Sequence, residues 1–126
     1  HPDTIAYLHK MRPMYEISSF AVEFVAEVMS KTNEMGASVK RIMDGKNYFV
    51  NALREMDFPV IDTHANFIHV NFSEQSELLH DVLSRKVLYR HSFSHPCLVA
   101  YSRFTIAPKP VMQKVISLIK SECTRD

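Results

Sequence analysis

The chain has 126 residues, a formal net charge of +1, and 46% hydrophobic and 23% charged side chains, the make-up of an ordinary folded domain. That composition excludes a disordered polymer, and no apolar run approaches the ~18 residues that a membrane-spanning helix needs. Cys97 and Cys123 are too few for a disulfide framework and too far apart for a Cys-x-x-Cys centre. With no charged-then-apolar leader at the start, the expectation is one domain over residues 1–126, resident in a reducing cytoplasm.

The first half reads as helix. From Ser19 to about Lys31, Phe20, Phe24, Val25 and Val28 recur at helical spacing, with Ser18 or Ser19 able to cap the start. From Asn33 to Met56 the apolar positions Met35, Val39, Ile42, Met43, Phe49, Val50, Leu53 and Met56 trace one stripe. Gly36 and Gly45 each weaken this helix by roughly 1 kcal/mol relative to Ala, so fraying or a kink is expected there. Asp57 and Pro59 close it.

The second half changes period. After a short strand at 60–63, residues 64–72 alternate, with Ile68, Val70 and Phe72 on a core face and Phe67, His69 and Asn71 on the other. Ser73 and Glu74 open a short helix carrying Leu78, Leu79, Val82 and Leu83. Residues 86–92 and 100–107 read as two more strands around a His-Pro-Cys loop. Pro108 and Pro110 suit the first turn of a last helix with Val111, Met112, Val115, Ile116 and Ile119 buried. The order α-α-β-β-α-β-β-α predicts an α+β, two-layer sandwich, a small sheet of three or four strands with helices on one face.

Charge is unevenly placed. Residues 1–63 carry seven Lys/Arg against nine Asp/Glu (−2), and residues 64–126 carry eight against five (+3). Between Asp81 and Glu122 there are seven basic residues and no acidic one, a stretch suited to an anion. Arg90 and Arg103 lie within it, on strands that flank a short loop. Phe104 and Ile106 take the core face, so Arg103 points away from it, where a guanidinium can grip a carboxylate or phosphate through two parallel hydrogen bonds. The competing reading is two solvated arginines paired with nearby carboxylates.

Other constellations fall short of chemistry. His91, His95 and Cys97 have a spacing that suits metal on a helix face, but Phe93 and Pro96 mark strand and loop, so no metal site is expected. His64 and His69 differ by an odd number and face apart. Cys97 has His95 nearby but no orienting acid, and Asp57 and Asp62 flank a proline turn. The two glycines belong to no phosphate-cradling loop. No catalytic residue is assigned.

Four segments in order carry a resemblance. Met11-Arg12-Pro13-Met14-Tyr15-Glu16-Ile17-Ser18 resembles the R-P-Y-x-I-S link into the small domain of fold-type I aminotransferases. Thr63-His64-Ala65-Asn66-Phe67-Ile68 is similar to the S-x-A-N-F-I strand of the histidinol-phosphate aminotransferase branch. Val87-Leu88-Tyr89-Arg90 resembles its G-I-x-V-R strand, and Ser102-Arg103-Phe104-Thr105-Ile106 its L-R-I-T-I-G strand. Two departures stand out: Ala107, followed by Pro-Lys-Pro, replaces the usual Gly, and His91 replaces a common acidic residue.

The resemblance implies the C-terminal small domain of a pyridoxal-phosphate-dependent transaminase. Residues 1–17 would link it to a large domain not contained in this chain. Arg103 matches the arginine that binds the substrate α-carboxylate, and Arg90 the one that helps hold a substrate phosphate. Asn66 and Tyr15 occupy motif positions without an assigned contact. The reaction implied is amino transfer between an amino acid or amine, which can be phosphorylated, and a 2-oxo acid. The cofactor lysine would lie in a Ser-Lys context that none of the four lysines before Asn47 shows, so the chain alone is expected to be inactive. The expected partners are a small anionic, amino-acid-like substrate, the large domain, and a second copy in a full-length homodimer, with no membrane. Exposed apolar side chains at Met11, Met14 and Tyr15 would mark where the large domain packs. The alternative is a free-standing anion-binding or nucleic-acid-binding α+β module, although a net charge of +1 and the lack of an RNA-binding signature argue against nucleic acid.

Overall fold

A computed structural model of the protein describes residues 1–11, 17–91 and 93–123. Met14 and Tyr15, and the side chain of Met11, lie outside the described residues. The chain divides into two compact units, residues 1–37 and 38–126, and each is described by itself.

The first unit is helical. Helix α1 (Pro2–Met11) places proline at its first position, Asp3 in the first turn and Lys10 in the last, matching the helix dipole. This helix precedes the eight elements expected from the sequence. Helix α2 (Ser19–Ser30) starts at Ser18, whose side chain accepts a 3.2 Å hydrogen bond from the Ala21 N–H. Its stripe does not form a core within the unit. Phe20 is 78% exposed and Phe24 60%, their rings stacked 6.4 Å apart, and no residue of α2 is buried. Helical periodicity reports which face is apolar, and burial of that face needs a partner element. Helix α3 (Thr32–Arg54) is helical through both glycines.

The second unit holds the core. Strands β1 (Val60–Asp62), β2 (Phe67–Val70), β3 (Arg90–His91) and β4 (Ser102–Thr105) form one antiparallel sheet in the order β1-β2-β4-β3. Helices α4 (Ser76–Ser84) and α5 (Lys109–Cys123) and the second half of α3 cover one face, giving the two-layer α+β arrangement. Phe49 and Leu53 of α3, Ile68 and Val70 of β2, Leu79 and Leu83 of α4, Phe104 of β4 and Ile116 and Ile119 of α5 are its buried centre. Phe104 packs edge-on to Phe49 at 5.7 Å and to Phe72 at 6.0 Å.

Some expected boundaries and faces change. Strand β3 starts later than expected, at Arg90, because the Lys86 and Val87 N–H groups bond back to the Leu83 carbonyl and close α4. Strand β4 begins at Ser102 because the Tyr101 N–H is taken by the Leu98 carbonyl. Val111, in the first turn of α5, is exposed, as are Leu78, Val39 and Met43.

Gly45 and Lys46 tie α3 to the sheet's turns. A Cβ on Gly45 would overlap the Ala107 carbonyl oxygen and crowd the Lys109 N–H, so the glycine permits close approach of the helix to the β4–α5 turn. Lys46, 3% exposed, holds Asp62 at 2.7 Å and donates to the carbonyls of Thr63 and, at 3.1 Å, Ala65. Among the described residues no helix is long and apolar enough to cross a membrane.

Candidate functional site

The sheet's second face carries no helix of this unit, and alternation sends the basic residues there. Ile68, Val70, Ser102 and Phe104 point to the core, so Phe67, His69, Arg103 and Thr105 point the other way. Register then aligns one residue from each strand across this face: Ile61, His69, Arg103 and Arg90. Arg90 and Arg103, thirteen positions apart in the chain, are therefore direct cross-strand partners.

Each guanidinium lies over an aromatic ring. The Arg90 Cζ is 4.5 Å from the Phe93 ring centre, and the Arg103 Cζ is 5.1 Å from that of Phe67. The His69 ring meets both phenyl rings edge-on, at 5.5 Å from Phe67 and 5.4 Å from Phe93. Neither arginine has a carboxylate within ion-pair distance or a side-chain hydrogen bond among the described residues, so the paired-arginine reading is not what the structure shows. Leu88, Tyr89 and Thr105 complete the walls of a shallow cleft around the two arginines.

The electrostatics follow first from burial and then from the neighbouring charge. Burial, and then the neighbouring Arg103 guanidinium, push the His69 pKa below its ordinary 6.5. Its Nδ1 is buried without a hydrogen-bond partner among the described residues. The His69 ring stands beside the Arg103 guanidinium and between the two phenyl rings that carry the arginines.

A polar cluster backs β3 on the core side. His91 stacks on His80 of α4 at 3.9 Å and lies 3.1 Å from the Ser102 hydroxyl through Nδ1, while the His80 Nδ1 is 2.7 Å from the Tyr89 hydroxyl. Tyr89 in turn stacks on Phe104 at 4.6 Å. Burial, then His80, lower the His91 pKa, and burial raises that of Tyr89. His95 does not join them: its ring accepts the Cys97 N–H at 3.3 Å and caps a short 3-10 turn.

Asn66 is placed at the end of the sheet, where its carbonyl accepts the Ile106 N–H and continues the β2–β4 ladder. Tyr15 lies outside the described residues. Phe67 and Phe93 were evident only as aromatic residues near the basic face, and His69 was not evident as a site residue, from single strands. Alternation puts Phe67 and His69 on the outer face, but only the insertion of β4 between β2 and β3 sets them beside the arginines.

Comparison with known proteins gives the family. The model of the family "Aminotransferase class I and II" matches residues 1–119. The histidinol-phosphate aminotransferase of Syntrophotalea carbinolica is 26% identical over 121 residues, covering 94% of this chain and 35% of that protein. That of Crocosphaera subtropica is 27% identical over 120 residues, covering 94% and 34%. The chain thus spans about a third of the length of the curated relatives it matches. With a sheet that presents the motif arginines on one open face and a family match across nearly its whole length, this chain belongs to the class I and II aminotransferase family.

Proposed function

We propose that this chain is the small-domain portion of a pyridoxal-phosphate-dependent aminotransferase, and that its open sheet face grips an anionic, amino-acid-like substrate. The observation that carries the reading is the pair of guanidinium groups in cross-strand register with no carboxylate partner among the described residues. Arg103 holds the substrate α-carboxylate, and Arg90 holds a second anionic group, such as a phosphate on the amine substrate. The phenyl rings support the guanidinium faces and leave their N–H edges for ligand oxygens. Charge-assisted, bidentate contacts of this kind fix orientation, so the contribution to catalysis is positioning of the substrate amine.

The described residues do not themselves fit the cofactor. The buried lysine, Lys46, is already tied to Asp62 and to the carbonyls of Thr63 and Ala65, and so offers no free amine for an aldehyde. The cofactor would be held mainly by a large domain, reached through residues 1–17, in a protein that works as a homodimer in the cytoplasm. On this reading the chain alone does not turn over. Asn66 and Tyr15 occupy family motif positions without an assigned contact.

Reading the coding sequence upstream of His1, and assaying the full-length product, tests this. A large α/β domain with a Ser-Lys stretch, and amino transfer to a 2-oxo acid, are expected. An unrelated upstream domain and no amino transfer would overturn the reading in favour of an anion-binding module, whose binding should weaken steeply with salt if its partner is nucleic acid.

A further inference from the structure

We infer that His69 is a positioning residue that holds the two arginines of the anion site at a fixed separation, so that a ligand with anionic oxygens for both is preferred over one that engages a single guanidinium. The inference rests on the substrate-binding reading of Arg90 and Arg103. His69 faces Arg103 directly across the β2–β4 pair, and its ring touches both aromatic supports, Phe67 at 5.5 Å and Phe93 at 5.4 Å. Phe67 carries Arg103 and Phe93 carries Arg90. The three rings form a row, and a change in the middle ring reaches both guanidiniums through their supports.

Two local costs meet at this point. Like charges directly opposite on a sheet repel, and a buried Nδ1 with no partner among the described residues has lost its hydration with nothing in return there. Neither serves packing. Both are accounted for if the row exists to hold two cations ready for an anion, because ordering them before binding removes that cost from the binding step. Neutrality of the ring matters as well, since a third cation here would drive Arg103 away.

The test uses the full-length protein and two probes, inorganic phosphate, which two guanidiniums can share, and acetate, which one can hold. In His69→Ala, phosphate affinity is expected to fall about tenfold, the worth of two weakened cation–π supports, and acetate affinity only about threefold, the worth of one. His69→Phe keeps the row and is expected to bind phosphate within about twofold of the natural protein. His69→Leu, similar in volume, takes the place of the alanine variant if that one does not fold. Equal phosphate affinity in His69→Ala and the natural protein would overturn the inference, as would failure of His69→Phe to restore it. Arg90→Ala and Arg103→Ala separate the two levels. If neither weakens phosphate binding, the substrate-site reading itself fails; if either does while His69→Ala binds normally, only the role of His69 fails.

Discussion

Arg90 and Arg103 face each other in register on adjacent antiparallel strands, each laid over its own phenyl ring. Opposed like charges destabilise a sheet by a few tenths of a kcal/mol to about 1 kcal/mol. A protein that breaks a local rule of this kind without structural compensation commonly does so at a functional site. On the proposed substrate-binding reading, the missing compensation is an anion.

Arg103→Lys should lower the kcat/KM of the full-length enzyme by about 10- to 100-fold while leaving thermal unfolding nearly unchanged. Lysine keeps the charge but loses the planar pair of donors, a difference of roughly 1.5–3 kcal/mol for a charge-assisted contact. Steady-state kinetics on the variant checks this, and an unchanged rate would remove Arg103 from the site.

The two glycines of α3 should respond in opposite ways to alanine. At Gly36 nothing lies within 4 Å of an added Cβ, so Gly36→Ala should stabilise by about 0.5–1 kcal/mol through helix propensity alone. At Gly45 the added methyl group meets the Ala107 carbonyl, part of the backbone, and Gly45→Ala should cost about 1–3 kcal/mol despite the same propensity gain. Urea denaturation of both variants provides the comparison.

The Lys46–Asp62 pair is asymmetric, since the Lys46 side chain is 4% exposed and that of Asp62 40%. Asp62→Ala leaves an ammonium group buried with only carbonyls to hold it, at a cost of about 3 kcal/mol. Lys46→Met leaves a carboxylate that still reaches water and should cost about 1–2 kcal/mol. The double variant should be no less stable than Asp62→Ala. A larger loss for Lys46→Met than for Asp62→Ala would contradict this account.

Stability should fall as pH drops below about 6.5. The folded state lowers the pKa of His69 and His91 from their ordinary value of 6.5, so in acid the unfolded chain takes up protons that the folded chain resists. The loss begins near 6.5 and continues down to the lowered folded-state values. Both groups are partly exposed, so the slope is modest. A melting-temperature series from pH 7.5 to 5 in the natural protein and in His91→Gln should show a flatter acid limb in the variant.

Much of the second unit was legible from period alone. The alternation at Ile68, Val70 and Phe72 identified the buried side of β2, and Phe104 with Ile106 that of β4; all five side chains are buried as expected. The helix stripe at Met112, Val115, Ile116 and Ile119 likewise matches the covered face of α5. Strand lengths were less legible, because backbone bonds to the preceding turns consumed the ends of β3 and β4. In the first unit Phe20 and Phe24 show that a clear stripe does not by itself say what covers it.

The sequence by itself placed Arg90 and Arg103 in a basic, acid-free stretch and turned Arg103 away from the core, because alternation along a strand follows from local geometry. Four motifs in order were also enough to mark the family. The tertiary structure decided who their neighbours are. Only the strand order β1-β2-β4-β3 sets β4 between β2 and β3, which puts Arg103 beside both His69 and Arg90 and brings Phe67 and Phe93 under the two guanidiniums. Strand order and register depend on long-range pairing that no local spacing encodes, which is why the arginines could be named from the chain and the ring beneath each could not.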